Sequence, residues 1–199
     1  GGRAGAGKFR VDARIVDGVV KFQPDWPAAE HLDADIRFEA DGFTIDGRGQ
    51  LAGVAIESLS AGIPRFGHAQ LRVDAMSAGD AGEAGKLLAM LRASPLQKAY
   101  GEVMDNLQVS GAARADFHLL LPFHHEGNPV HAMHGSVMLA DASMREKRWD
   151  LAFDKVNGRV QYDGNGFIAD KLQVLHDGVA GVLSLRAGPC SCSRSRLKS

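Results

Sequence analysis

Apolar and polar residues alternate with a period of two along most of the chain, the pattern of a strand with one buried and one solvated face. From Leu32 to Glu39 the apolar residues occupy alternate positions, and charged residues fill most of the positions between them. Similar alternation occurs at residues 9–15, 71–75, 113–121 and 156–162. We therefore predict a mainly β fold whose strands turn one apolar side toward a shared interior.

Short turn sequences interrupt these strands. They are Asp17-Gly18, Asp41-Gly42, the segment 163–166 and Asp177-Gly178. Asp, Asn and Gly tolerate the positive φ angles of tight hairpin turns. We therefore predict that consecutive strands pair in an antiparallel meander.

Residues 80–104 break the alternation and predict a short helical insertion. Ala84, Leu87, Leu88 and Leu91 follow helical spacing, and Asp80 with Glu83 is typical of an N-terminal capping pair. The sequence Ser94-Pro95 predicts the end of this helix and the start of a second, in which Leu96, Ala99, Tyr100 and Val103 share a face up to about Met104. We interpret the insertion as a cap over one end of the sheet.

The chain also contains an internal similarity. Residues 32–46 align with residues 156–170, which preserves the aromatic, apolar and turn positions, and residues 11–19 align less closely with 135–143 at the same offset. This pattern indicates one β-rich unit followed by the beginning of the next.

The domain organisation follows from these patterns. We predict that residues 9–188 form a single domain and that residues 1–8 are a linker or a truncated end. Residues 189–199, which carry Cys190 and Cys192, are predicted to be a disordered tail or an artefactual end of the sequence. The strands present more apolar surface than the helices can cover. From the residues alone, a sheet folded on itself as a sandwich or closed barrel is favoured over a sheet left open as a trough.

Composition excludes several classes of function. The 23 basic and 24 acidic residues give a net charge of −1, so there is no broad positive field to attract nucleic acid. The stretch Gly2–Gly7 lacks the preceding strand and the following Lys-Ser/Thr of a phosphate-binding loop. No nucleophile motif is present, so we predict neither an enzyme nor a cofactor.

Histidines form the one cluster that suggests chemistry: His118, His124, His125, His131 and His134 lie close together in sequence. A metal site is the alternative to a surface hairpin tip, and we favour the tip because only Asp116 and Glu126 stand nearby as further ligands. Elsewhere, Asp33, Asp35 and Glu39 are interpreted as the solvated side of a strand, and Trp26 as a buried aromatic anchor rather than a ligand-stacking residue.

The order of many small motifs resembles the central region of YhdP-type proteins in the AsmA-like family. These motifs are VVKFQPDWP at 19–27, LDADIRF at 32–38, DGFTI at 41–45, AGIP at 61–64, LRVDA at 71–75, SPL at 94–96, LQVSG at 107–111, LLLP at 119–122, GSVML at 135–139 and VNGRV at 156–160. The resemblance covers residues 9–188 and departs from the family at the Cys-containing tail.

This resemblance implies the open form of the sheet and a function. The expected fold is a long, curved antiparallel sheet that forms an open apolar groove, and the expected function is conduction of phospholipid between inner and outer membrane, supporting the outer-membrane barrier. The chain would be an internal segment in the periplasm of a parent protein anchored to the inner membrane. Its partners would be phospholipid acyl chains, neighbouring segments of the same long chain and envelope proteins.

The groove candidates are Ile15, Ala34, Ile36, Phe38, Phe117, Leu119, Val160 and Leu183. A non-catalytic structural or interaction module of the envelope, with a self-packed β-sandwich, is the alternative.

Overall fold

β-Strands make up most of the described chain. The structure, a computed structural model, describes residues 9–21, 24–39, 41–66, 70–122, 133–164 and 166–188. Within these residues there are ten strands and two helices: β1 (Arg10–Val20), β2 (Ala29–Glu39), β3 (Gly42–Leu51), β4 (Val54–Ile63), β5 (Gln70–Ser77), α1 (Glu83–Arg92), α2 (Leu96–Asn106), β6 (Leu107–Pro122), β7 (Met133–Glu146), β8 (Leu151–Asp163), β9 (Gly166–His176) and β10 (Val179–Ala187).

All described strands belong to one antiparallel sheet in sequential order, so the predicted meander is confirmed and the self-packed sandwich is wrong. Directly paired residues share a face of a sheet. One row of pairs runs across six strands in the order Ile36, Ile45, Ala61, Val73, Leu119 and Met133. We call the face that carries this row the inner face and the opposite one the outer face.

The predicted turns are confirmed except for one. Asp41-Gly42 lies in the β2–β3 connection, Asp163 pairs with Gly166 across the β8–β9 turn, and Asp177-Gly178 joins β9 to β10 with positive φ at both residues. The prediction of a hairpin turn at Asp17-Gly18 is wrong. Both residues lie inside β1, where the pairing register shifts between Ile15 and Gly18, because a residue with positive φ can also form a β-bulge.

Such register shifts recur across the sheet and bend it. In the described residues they interrupt every strand pair except β5–β6, at 15–18, 30–33, 47–49, 56–58, 110–112, 139–142, 154–157 and 183–185. Most of these shifts lie within the strands rather than at their ends. Because each bulge bends its strand and increases the local twist, the shifts favour a bent sheet.

The internal similarity of the sequence has a counterpart in the backbone. Asp17 and Asp141 have φ angles of 51° and 49°, and His31 and Lys155, at the same offset, have 49° and 46°. In each copy a side chain on the next strand accepts a hydrogen bond from the bulged backbone: Asp17 N donates to Asp33 Oδ1 at 3.0 Å, and Asp141 N donates to Asn157 Oδ1 at 2.9 Å.

The hairpins of the two copies also share their register. Phe38 pairs with Phe43 across the β2–β3 turn, and Tyr162 pairs with Phe167 across the β8–β9 turn. Strands β1–β3 and β7–β9 therefore repeat one unit.

The two helices lie where the sequence predicts them, but α1 begins differently. Glu83 N donates to the backbone carbonyl of Asp80, and Gly82 occupies the N-cap position with φ 95° and no side-chain hydrogen bond. The predicted Asp80–Glu83 capping pair is therefore wrong. Ser94 joins the helices, since its Oγ donates to Leu91 O and accepts from Leu96 N.

The helix pair packs on the inner face. Leu87, Leu88, Leu91, Leu96 and Tyr100 are buried in one cluster with inner-face residues from β4 to β9. Val103 was predicted to share the buried face of α2 but is 47% exposed. The predicted cap over one end of the sheet is therefore corrected: α1 packs on β6 and β4 in the middle of the sheet, and α2 reaches β9 through the contact of Tyr100 with Phe167. The inner face from β1 to β6 retains an open cavity.

Candidate binding groove

The open part of the inner face forms an apolar cavity of about 220 Å³. Its walls come from β1 to β6, the start of β7, the segment before β2 and helix α1. The lining residues are Ile15, Val20, Trp26, Ala29, Leu32, Phe43, Ile45, Gly49, Gln50, Leu51, Ile56, Leu59, Ala61, Leu71, Val73, Ala75, Met90, Phe117, Leu119 and Met133.

The composition of this lining shows that the sheet is curled. Ile15 on β1 and Met133 on β7 border the same cavity, although six strand spacings separate their strands. In a flat sheet they would stand about 29 Å apart at roughly 4.8 Å per strand. The sheet therefore forms a groove whose floor is the inner face.

The groove has the chemistry of a site for hydrocarbon. Among the described lining residues there is no charged side chain, and Gln50 supplies the one side-chain amide. Apolar ligands bind concave apolar surfaces because burial removes hydrocarbon from water. The arrangement can hold an alkyl chain, and its charged groups lie elsewhere.

The eight groove candidates from the sequence fall into three groups on this face. Ile15, Phe117 and Leu119 line the cavity. The three candidates on β2, namely Ala34, Ile36 and Phe38, pair directly with residues of β3 beside it. Val160 and Leu183 instead pack against the cluster under the helices.

Several lining residues were missed by sequence reasoning, for identifiable reasons. Ile56 and Leu59 both line the cavity, but a register shift between Ile56 and Ser58 places them out of phase with simple alternation. Met90 is fully buried at the cavity wall. In the sequence it lies outside the apolar stripe of α1, so helical spacing did not identify it. Trp26, predicted as a buried anchor, is 7% exposed and also lines the cavity.

The outer face carries the polar groups. Asp35 lies 4.0 Å from the guanidinium of Arg14, and the backbone N–H of Asp17 lowers the pKa of Asp33 by hydrogen bonding to its carboxylate. The acidic residues of β2 therefore belong to a solvated surface, as predicted.

Two of the clustered histidines lie on this outer face as well. The rings of His118 and His134 stack with centroids 5.0 Å apart, and His118 Nδ1 lies 2.6 Å from Asp74 Oδ1. This hydrogen bond lowers the pKa of Asp74. Ser136 Oγ donates to Asp116 at 2.5 Å.

No group of three or more metal-ligating side chains is found in the described part of the chain. His124, His125 and His131 lie outside the described residues, as do both cysteines of the tail, so the predictions of a surface hairpin tip and of a disordered tail stay predictions.

Comparison with known proteins identifies the family. The model of the YhdP protein family matches residues 2–188. The chain belongs to the YhdP family. The intermembrane phospholipid transporter YhdP of Escherichia coli (strain K12) is 31% identical over 157 residues, which cover 78% of this chain and 12% of that protein.

The chain thus spans about one-eighth of the length of this YhdP relative. No solved structure matches it. Neither helix in the described residues has the length and apolarity needed to cross a bilayer. The resemblance to the YhdP family that the motif order indicated is confirmed.

Proposed function

We propose that this chain is a segment of a phospholipid conduit, in which the groove holds acyl chains while polar headgroups remain in solvent at its opening. The observation that carries the proposal is a cavity bordered by strands from β1 to β7 with no charged side chain in its described lining. The name of the Escherichia coli relative, an intermembrane phospholipid transporter, supports phospholipid as the ligand class. The role is non-enzymatic.

The proposed setting is the periplasm, within a parent protein anchored to the inner membrane. Residues 9–188 would act as one unit of a longer groove. Within the described residues, β1 and β10 are the edge strands of the sheet, and each pairs with one neighbouring strand. Since an edge strand presents free backbone donors and acceptors, neighbouring segments of the same long chain are the proposed partners.

A pair of adjacent substitutions on β3 tests the ligand class. The 199-residue chain is incubated with vesicles of phosphatidylethanolamine and phosphatidylglycerol, reisolated, and extracted for mass spectrometry. Ile45→Asp places a carboxylate in the groove lining, and we expect about tenfold less bound phospholipid because a buried charge costs several kcal/mol. Thr44→Asp, on the outer face of the same strand, should leave the amount unchanged.

Photo-crosslinking tests where the ligand binds. A photoreactive side chain at Ile36 or Phe117 should become attached to phospholipid. If the chain is repeatedly recovered without lipid and these positions remain unlabelled, the proposal is wrong.

A further inference from the structure

A polar cavity of about 390 Å³ lies on the outer face of the sheet, over strands β6 to β9. One row of directly paired outer-face residues runs through its lining, in the order Asp116, Ser136, Gln161 and Ile168. This row crosses three strand spacings, about 14 Å at roughly 4.8 Å each. Small-molecule sites usually measure roughly 300–1,000 Å³, so the cavity is large enough for a small ligand.

The side chains that β6 and β7 contribute are held in place by hydrogen bonds. Asp116 accepts from the backbone N–H of Ser136 at 3.1 Å and from its hydroxyl at 2.5 Å. His118 Nδ1 donates to the carboxylate of Asp74 at 2.6 Å, which leaves Nε2 as an acceptor beside the cavity. This Nε2 lies 3.6 Å from Asp116 Oδ2, too far for a hydrogen bond. Both groups are therefore fixed and keep capacity to bond a ligand, as in a preorganised site.

The side chains that β8 contributes are instead free to bond. Arg159 and Gln161 are two residues apart on the outer face, and both are exposed. Neither side chain makes a hydrogen bond or an ion pair with the part of the chain that the structure describes. The guanidinium of Arg159 can only donate, whereas the amide of Gln161 donates and accepts. The cavity thus combines free donors on β8 with fixed acceptors on β6 and β7.

The mixed charge of the lining narrows the class of ligand. The guanidinium of Arg159 faces the same cavity as the carboxylates of Asp116 and Asp163, and both carboxylates would repel an anion. A hydrocarbon would leave all of these polar groups without partners. A sugar fits better, because each hydroxyl donates and accepts. Its C–H face can also pack on Ile168, which is 41% exposed.

We propose that this outer-face cavity binds an uncharged saccharide, with Gln161 and Arg159 donating to its hydroxyls and Asp116 and His118 accepting from them. The proposal goes beyond phospholipid conduction and does not rest on it, because the cavity and the groove lie on opposite faces of the sheet. In the proposed periplasmic setting, such a site would attach the outer face to a polysaccharide and leave the inner face available to lipid.

An NMR titration of the ¹⁵N-labelled 199-residue chain tests the site. The probes are maltotetraose and chitotetraose, which are uncharged, and inorganic phosphate. We expect at least one saccharide to shift the amide resonances of residues 134–136 and 159–161 with saturation, and phosphate to leave them unchanged. Gln161→Ala and Arg159→Ala should each raise the Kd about fivefold, the usual effect of losing one hydrogen bond.

Gln173→Ala is the matched control. Gln173 is an exposed glutamine on the outer face of β9 that pairs with Asn157 and lies outside the cavity lining, so its removal should leave the Kd unchanged. The proposal is wrong if neither saccharide shifts these resonances, if phosphate alone shifts them, or if Gln161→Ala and Gln173→Ala bind equally well. Each of these outcomes leaves the lipid measurements on the groove unaffected, so failure of this site is distinguishable from failure of the proposed function.

Discussion

At the scale of single residues, Gly135 lies where two strands and an aromatic ring approach each other closely. It lies on β7 opposite Tyr162, whose hydroxyl donates to Asp116 O at 2.6 Å over the glycine. Burial raises the pKa of Tyr162, so the hydroxyl stays protonated and keeps donating. A Cβ at Gly135 would clash with both Asp116 O and the Tyr162 hydroxyl.

We therefore expect Gly135→Ala to lower the free energy of unfolding by about 2 kcal/mol, the usual cost of forcing an extra carbon into a filled site. Urea denaturation followed by circular dichroism measures the change. Gly181→Ala on β10 is the control, because its Cβ would meet no atom within 4 Å, and its midpoint should stay near that of the parent. Equal midpoints for the two variants would contradict this account of Gly135.

At the scale of elements, the bulges are maintained by side chains of the outer face. Asn157 accepts a hydrogen bond from Asp141 N and donates through Nδ2 to Asp141 Oδ1 and Lys155 O. The positive φ angles of Asp141 and Lys155 are unfavourable for residues with a Cβ. The hydrogen bonds of Asn157 therefore offset backbone strain at the β7–β8 bulge.

We expect Asn157→Ala to destabilise the chain by about 1–2 kcal/mol, because it removes several hydrogen bonds while the strain remains. Hydrogen exchange should show faster exchange of amides near 139–142 and 154–157. Asn157→Asp retains an acceptor for Asp141 N, as Asp33 does in the first copy, and should lose less protection than Asn157→Ala. Uniform loss across all strands would argue against a local role.

The same bulges explain how far the sequence predicted this structure. Alternation identified most strands and the inner-face residues of β2 and β6, and helical spacing located α1 and α2. It could not place Ile56 and Leu59, because a bulge changes the phase between them. Asp17-Gly18 was misassigned since the same residue types suit a turn and a bulge.

At the scale of the whole molecule, the sheet has more inner face than its helices cover. The row of pairs from Ile36 to Met133 crosses six strands, while α1 packs on β4 and β6 and α2 reaches β9 through Tyr100. Periodicity could not decide between an open groove and a sandwich, because it shows which side of a strand is apolar but not what covers that side. Family resemblance and the structure agree on the open form.

An open apolar groove in the native state should bind a hydrophobic dye. We expect anilinonaphthalene sulfonate to fluoresce with the folded chain, as it does on exposed apolar surface, and lysophospholipid below its micellar concentration to displace it. Ile45→Asp should weaken dye binding and Thr44→Asp should not. Dye fluorescence that lysophospholipid leaves unchanged would indicate a surface other than the groove.

The uniform chemistry of the groove lining also has a kinetic consequence. Hydrophobic attraction has no preferred direction and depends on the area covered, so an alkyl tail gains about the same free energy at each strand it crosses. Since the described lining has no charged group to hold a headgroup or tail at one point, we expect a bound alkyl tail to exchange readily between neighbouring positions along the groove. If the segment conducts phospholipid as proposed, we therefore expect its net lipid flux to follow the difference in lipid concentration along the groove.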